Sequence, residues 1–278
     1  MPNSGDEREP AERLGAAGAL ALRKYLKSGD TLAVTGGSTV MSVGANLRIL
    51  GLQDVTVVQA IGGAAAKNLA APSLCALTIA SALNATCVNL SAPAVTSTAE
   101  ARAIRVAEQL EILSQANKAL FGISALRSNT SLHSDGLFEG AEIQHYFHGT
   151  VGVLAARFID AWGKPVAGAL DDRVIGLPLE DPLRVDLRIF VAGGFDKAPA
   201  ILAALRRGYA NVLVTDASMA RGVLRADGAA ELDRRGRDRQ AVKLPDREPR
   251  QHVKSSLMSP TRWSRQCSRG RFARIAPF

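Results

Sequence analysis

Short aliphatic runs, each followed by a turn and then by a helical pattern, recur along this chain. The runs are TLAV at 31–34, DVTVVQA at 54–60, TCVNL at 86–90, KALFGI at 118–123, LRIFVA at 187–192 and NVLVT at 211–215. Their length and their Gly, Asn, Asp or Ser boundaries mark them as strands. Helical patterns occupy residues 11–27, the stretch through Val40, Val43, Leu47 and Leu50, then 72–83, 98–116, 150–161, 197–207 and 218–224, with short strands within 165–176. Strands separated by helices predict an α/β fold, a Rossmann-like, mostly parallel sheet with helices on both faces. In such sheets ligands sit at the carboxyl ends of strands.

Four loops at those ends are the candidate sites. Thr35, Gly36, Gly37, Ser38 and Thr39 join the first strand to a helix. The two glycines let backbone approach a ligand, Ser38 and Thr39 can cap the helix or donate to an oxyanion, and the helix N-terminus favours an anion. The same residues also read as an ordinary capped turn. Gln59 to Gly63 (QAIGG) repeats the strand-then-glycine arrangement. Asp171, Asp172 and Arg173 could bind sugar hydroxyls or move protons; alternatively they form a surface turn with a local ion pair. Lys197, in AGGFDK after a strand, stands at a helix start, where a cation opposes the helix dipole unless it serves an anion.

Other signals are weaker. His145 and His148 are three apart, but lack a partnered carboxylate or cysteine that would suggest metal binding. There is no G-x-S-x-G, no P-loop and no dinucleotide fingerprint, so no cofactor is expected. Cys75, Cys87 and Cys267 have no C-x-x-C spacing and fit a reducing compartment. No apolar run reaches the ~18 residues of a membrane span and residues 1–10 are polar, unlike a signal peptide. A cytoplasmic protein without a membrane partner is expected. The 47% apolar fraction suits a sizeable core, and the 5% aromatic fraction is poor for base stacking.

The chain carries 34 Lys+Arg and 26 Asp+Glu, net +8. Residues 226–278 hold 13 and 6 of these, which leaves +1 for residues 1–225. Residues 1–10 read as disordered, 11–225 as the folded domain, and 226–278 as a basic, disordered tail. The tail's alternative role is a nucleic-acid-binding arm using Trp263 and Phe272, with steep salt dependence.

The ordered series TGGST, VVQAIGG, LSAPAV, KALFGIS, HGTVG, DDRVIGLPLE, VAGGFDKAPAILAALRRG and NVLVTDASMA resembles the C-terminal sugar-binding effector domain of SorC/DeoR-type bacterial transcriptional regulators. The resemblance covers roughly residues 11–224 and implies a fold similar to ribose-5-phosphate isomerase and glucosamine-6-phosphate deaminase. It implies a phosphorylated sugar effector, with Gly36 to Thr39 and Lys197 at the phosphate, Asp172 and Arg173 at the sugar, and Gln59 and Gly63 nearby. It also implies a homo-oligomer, dimer or tetramer, in which effector binding alters operator affinity. Three departures stand out. Ile61 replaces an Arg found in members that bind a bisphosphate, and Val153 replaces a frequent Asp. The family's helix-turn-helix, its route to DNA, is not among the ten or so residues before the first helix. The rival expectation is a sugar-phosphate isomerase or deaminase using Asp171 or Asp172 as base, Lys197 as electrostatic support, and His148 or Glu180 as a second acid or base.

Overall fold

The computed structural model describes residues 10–48, 51–63, 70–97, 107–126, 145–180, 184–227 and 274–276. Helix α1 (Pro10–Tyr25) precedes β1 (Thr31–Val34), α2 (Ser38–Asn46) leads to β2 (Thr56–Gln59), and α3 (Pro72–Leu83) to β3 (Thr86–Val88). Then come α4 (Ala107–Ser114), β4 (Lys118–Phe121), the two-residue β5 (Ser124–Ala125), β6 (Thr150–Leu154) and β7 (Arg157–Asp160). The last elements are β8 (Leu187–Val191), α5 (Ala198–Arg207), β9 (Val212–Val214), α6 (Ala217–Ala226) and β10 (Arg274–Ala276). One 7-stranded parallel sheet has the order β10-β9-β8-β4-β1-β2-β3; a 3-stranded antiparallel sheet has the order β5-β6-β7.

The large sheet is buried on both faces, as parallel sheets are. Leu32, Val34, Val57, Leu120, Ile189, Val191, Val212 and Val214 join the core under α1, α2 and α3. Their strand neighbours Ala33, Val58, Ala119, Phe121, Phe190 and Leu213 join the opposite core with α5 and α6. This is the period-2 alternation of a strand with apolar residues on both sides. Phe121 and Phe190 meet edge to face at 5.5 Å, a favourable aromatic geometry. In α1, Gly15 and Gly18 look like weak points for a helix, yet both are needed for packing. A Cβ on Gly15 would lie 2.6 Å from the backbone carbon of Ser42, and one on Gly18 would lie 2.5 Å from Val43.

The chain reverses its direction of travel across the sheet between β1 and β4. At the amino end of this pair the buried Asp30 accepts the Lys27 N–H and the Asn117 side-chain amide, at 2.7 and 2.9 Å, and pairs with Lys118 at 3.3 Å. Asn117 Oδ1 in turn accepts the Thr31 N–H at 3.1 Å. Asn211 repeats the device between β9 and β8 by accepting the Arg188 N–H at 2.8 Å. At the carboxyl end the Thr35 hydroxyl oxygen accepts the Gly122 N–H at 3.1 Å.

One expected helix is corrected. Residues 150–161 form the β6–β7 hairpin, not a helix. Gly152, Leu154 and Ile159 face α5, while Val153 and Phe158 pack with Tyr146 and Leu170. A segment that must cover two cores on alternate residues has to be extended, and packing overrides the helix preference of Ala155 and Ala156. These two alanines make the turn with φ of 47° and 57°, a conformation that costs L-residues roughly 1–2 kcal/mol each. The short strands expected in 165–176 are single bridges at Pro165, Val174 and Gly176. The helix expected over 98–116 is observed as α4; 98–106 lies outside the described residues. Of the tail, expected to lack regular structure, Ala226 closes α6 and residues 274–276 are a strand against β9. A sheet edge presents unpaired backbone groups that favour such an addition. Residues 1–9, 228–273 and the turn expected at Asp135 and Gly136 lie outside the described residues.

Two changes test these contacts. Asp30→Ala strands Lys118 and Asn117 without their buried partner and should lower stability by about 2–4 kcal/mol in urea unfolding. Ala155→Asn with Ala156→Gly supplies residues that favour a left-handed two-residue turn. It should raise stability by about 1–2 kcal/mol, read as a higher Tm.

Candidate functional site

The order of strands sets where a ligand can enter. The chain reverses its direction of travel between β1 and β4, and the carboxyl ends of the strands at such a switch point are where open α/β sheets bind ligands. Residues 35–39 join the end of β1 to the start of α2 there. Thr35 itself is buried and holds β1 to Gly122. A Cβ on Gly36 would lie 2.9 Å from the Ala70 carbonyl oxygen and from Pro72. Gly37 has φ of 127°, where glycine is favoured, and donates its N–H to Ala70 at 2.9 Å. Ser38 is exposed at the start of α2. The Thr39 hydroxyl donates to the Val191 carbonyl at 3.0 Å, which ties the first turn of α2 to the end of β8. The opening N–H groups of α2 have no intrahelical acceptor and carry the positive end of the helix dipole.

On one side of this loop stands β2. The Gln59 side chain is fully buried, accepts the Leu90 N–H at 3.1 Å and donates to the Ile61 carbonyl at 2.6 Å. Its oxygen and one amide hydrogen thus bind backbone and brace β2 against the end of β3. Gly63 lies against it: a Cβ there would be 3.3 Å from Gln59 Nε2 and 3.4 Å from Pro72. Gly36 and Gly63 therefore flank the same proline at the start of α3.

The Asp171–Arg173 turn reaches this side through bridges between Gly176 and Ile61 and between Val174 and Val95. Arg173 Nε donates to the Thr96 carbonyl at 2.6 Å. Asp172 is exposed and makes no hydrogen bond among the described residues. Asp171 accepts the Gly168 N–H at 2.7 Å and faces the Tyr146 hydroxyl at 3.5 Å, while that hydroxyl oxygen accepts the Leu170 N–H at 3.0 Å. Tyr146 is buried and stacks on Phe158 with ring centroids 4.4 Å apart. It holds the turn from beneath, a role its sequence context did not signal. His145 contacts the Ala167 carbonyl at 3.1 Å, and His148 is exposed.

On the other side of the loop stands β8. Its continuation forms a single turn, Phe195–Lys197, packed beside β5, followed by α5. Lys197 is half-buried, and burial lowers the pKa of its ammonium from the ordinary lysine value, with Asp196 opposing that shift. The ammonium has no hydrogen-bond or ion-pair partner among the described residues. Two further groups lie here that the sequence did not single out. Asp216 caps α6 by accepting the Met219 N–H at 2.8 Å. Burial disfavours its charge, but hydrogen bonds from Ser218 and Met219 prevail and lower its pKa. The Thr215 hydroxyl is buried and without a hydrogen bond among the described residues.

Across the carboxyl edge the order is Lys197 after β8, Gly122 after β4, residues 35–39 after β1, Gln59 and Gly63 after β2, then the Asp171–Arg173 turn. From β8 to β2 is three strand spacings, about 14 Å, enough for a small ligand with an anionic end and a hydroxyl-rich end. Of the departures from the family pattern, Ile61 is buried beside Gly176, and Val153 is buried beside Phe158 and Tyr146. Neither side chain offers a polar contact. Among the described residues no three His, Cys, Asp or Glu side chains come together, and no helix is long and apolar enough to cross a membrane.

A doubly wound sheet with a glycine loop at its switch point and a half-buried lysine after β8 belongs to the class of open α/β domains, in which small ligands sit at the carboxyl edge. Residues 1–225 match the family model described as "Putative sugar-binding domain", and the chain belongs to this family, the sugar-binding domain of SorC/DeoR-type regulators. It is 30% identical over 218 residues to the uncharacterized transcriptional regulator YjhU of Escherichia coli K12, covering 76% of this chain and 66% of that protein. It is 30% identical to the deoxyribonucleoside regulator of Bacillus subtilis 168, covering 76% and 69%. The chain thus spans about two thirds of the length of these relatives. Among solved structures, the full-length sorbitol operon regulator SorC of Klebsiella pneumoniae shares the fold, with a TM-score of 0.72 at 22% identity over 80% of this chain and 74% of that one.

The Cys75 thiol, in the first turn of α3, faces the Gly37 and Ala70 carbonyls at 3.8 and 3.6 Å. Burial pushes its pKa up to about 12. Since the thiolate is the reactive form, Cys75 should escape iodoacetamide at pH 8 in the native protein and react once the protein is unfolded, as read by peptide mass mapping.

Proposed function

We propose that this domain is the effector-sensing part of a carbohydrate-responsive transcriptional regulator and that its effector is a phosphorylated sugar. The observation that carries this reading is the half-buried Lys197 ammonium, without a partner among the described residues, on the same sheet edge as the N-terminus of α2. Both features favour an anion, and a phosphate that accepts from backbone N–H groups and a lysine uses them together. In this reading Gly36, Gly37, Ser38 and Thr39 line the phosphate end with Lys197. Asp172 and Arg173 meet sugar hydroxyls, and Gln59 and Gly63 shape the pocket between them.

The relatives named above are regulators, which supports a binding role over an isomerase or deaminase. The hydrogen bonds that Asp171 receives count against it as a general base, which needs its lone pairs free for substrate, and leave that role in the rival reading to Asp172. Effector binding would favour one arrangement of subunits in a homo-oligomer and so change operator affinity. The operator contact itself would belong to a helix-turn-helix domain, and the regulator would work in the cytoplasm.

A thermal-shift screen should find stabilisation by a phosphorylated sugar and none by its unphosphorylated parent. Saturation at 100 times the dissociation constant corresponds to about 2.7 kcal/mol. Lys197→Ala should weaken that binding by about 10–100-fold in calorimetry. The lysine attracts phosphate only when protonated, so its contribution is present at neutral pH. It falls as pH rises through a value below that of ordinary lysine, and this alkaline loss should be absent in Lys197→Ala. Equal binding of parent sugars, or unchanged affinity in the variant, would rule the reading out.

A further inference from the structure

Helix α3 lacks the charged outer face that its position calls for. Residues 68–99 contain no Asp, Glu, Lys, Arg or His. At the 22% charged fraction of the chain, a stretch of 32 residues would hold about seven charges. Among the described helices, α2 and α3 alone carry none. For α2 the packing supplies the reason, because it lies against both α1 and α3. α3 is the outermost helix of its layer, over β2 and the edge strand β3. Its Cys75, Ala76, Ile79, Ala80 and Leu83 are buried. Leu74, Leu77, Ser81 and Asn84 recur at helical spacing on the other side: Leu77 is 51% exposed, Ser81 and Asn84 are exposed, and Leu74 is half-buried. A helix without a charged face is ordinarily buried all round. The remaining helices follow the ordinary pattern, with Arg13 on α1, Glu108 on α4, Arg206 on α5 and Arg225 on α6 all exposed.

The strand beside α3 has the same makeup. β3 pairs with β2 on one side, and its other edge carries no strand among the described residues. Thr86 is exposed and Cys87 and Val88 are half-buried, with neither a charge nor a proline to blunt the edge. Charge then decides between occupants. A contact about a twofold axis sets residues near the axis against their own copies, so a charge there would meet its like and repel. An uncharged face avoids that repulsion. A charged foreign partner, or the basic 226–278 segment, would instead gain from acidic side chains that this face does not have. Leu77 stands at the middle of α3 (Pro72–Leu83), the point at which the axis of an antiparallel helix pair crosses.

We propose that the α3 face, flanked by the β3 edge, is the surface through which two copies of this chain associate about a twofold axis. α3 of one copy runs antiparallel to α3 of the other, and the two Leu77 side chains meet near the axis. Burial of apolar surface supplies the attraction. The proposal names the surface for the homo-oligomer of the proposed function and rests on that reading for its part in regulation; the association itself needs no effector.

The test is sedimentation of the full chain over a concentration series, without ligand, for the parent, Leu77→Glu, Leu77→Lys and Leu20→Glu. Leu20, on α1, is 59% exposed and serves as the control. Circular dichroism checks that each variant keeps the fold. The parent should associate. Leu77→Glu and Leu77→Lys should each sediment at half the parent's mass, with the dissociation constant raised about 100-fold. An equimolar mixture of the two should regain the parent's mass, because opposite charges then meet at the axis. Leu20→Glu should keep the parent's mass. Lys197→Ala should also sediment as the parent does, so that failure of this contact and failure of the sugar-phosphate reading are told apart. A parent that stays monomeric, a Leu77→Glu variant of unchanged mass, a mixture that does not reassociate, or a Leu20→Glu variant that dissociates as far as Leu77→Glu would overturn the proposal.

Discussion

The junction of β1 with β4 is the contact on which the carboxyl edge depends. These two strands are distant in sequence, and between them the chain switches from building one half of the sheet to building the other. Asp30, Asn117 and Lys118 clamp the amino end of the pair; Thr35 and Gly122 clamp the carboxyl end. Both clamps are buried or half-buried polar contacts, whose loss leaves unsatisfied groups. With the register of β1 on β4 held at both ends, the glycine loop after β1 and the start of α2 have one position relative to β8.

From that junction the site is assembled by long-range ties rather than by local motif geometry. Thr39 donates to the last residue of β8, Gln59 binds the backbone beyond β3, and Arg173 binds the Thr96 carbonyl. Several residues that look like ligand contacts in the sequence thus spend polar atoms on holding loops together. Gln59 is the clearest case. Lys197 is the opposite case: its charge is half-buried without a partner among the described residues, a cost that an anionic ligand would offset.

The small antiparallel sheet adds a second tier. Its hairpin presses Gly152, Leu154 and Ile159 on α5 and offers Val153 and Phe158 to Tyr146. Tyr146 then supports the Asp171–Arg173 turn through hydrogen bonds at its hydroxyl. The left-handed alanines at the hairpin tip are consistent with this role, since a strained turn persists where the surrounding packing over-determines it. Ala156 packs there with Ile61, Ala94 and Val174, so the tip touches the segment that carries the turn.

The amino-acid sequence by itself determined the class of fold, the strands of the large sheet other than β10, the helices between them, and the glycine loops at the strand ends. Those features follow from local periodicity and turn chemistry, which act over a few residues. It also carried the family, because an ordered series of motifs survives in one dimension. Tertiary structure alone decided that residues 150–161 are a hairpin, since two cores compete for alternate side chains. It alone revealed that Gly15 and Gly18 are demanded by neighbouring side chains and backbone, and that Gln59 serves the backbone. The pairing of residues 274–276 with β9 and the support of Asp171 by Tyr146 likewise join positions that no local pattern links. In each case the deciding energy is contact between segments far apart in the chain, which only the folded arrangement brings together.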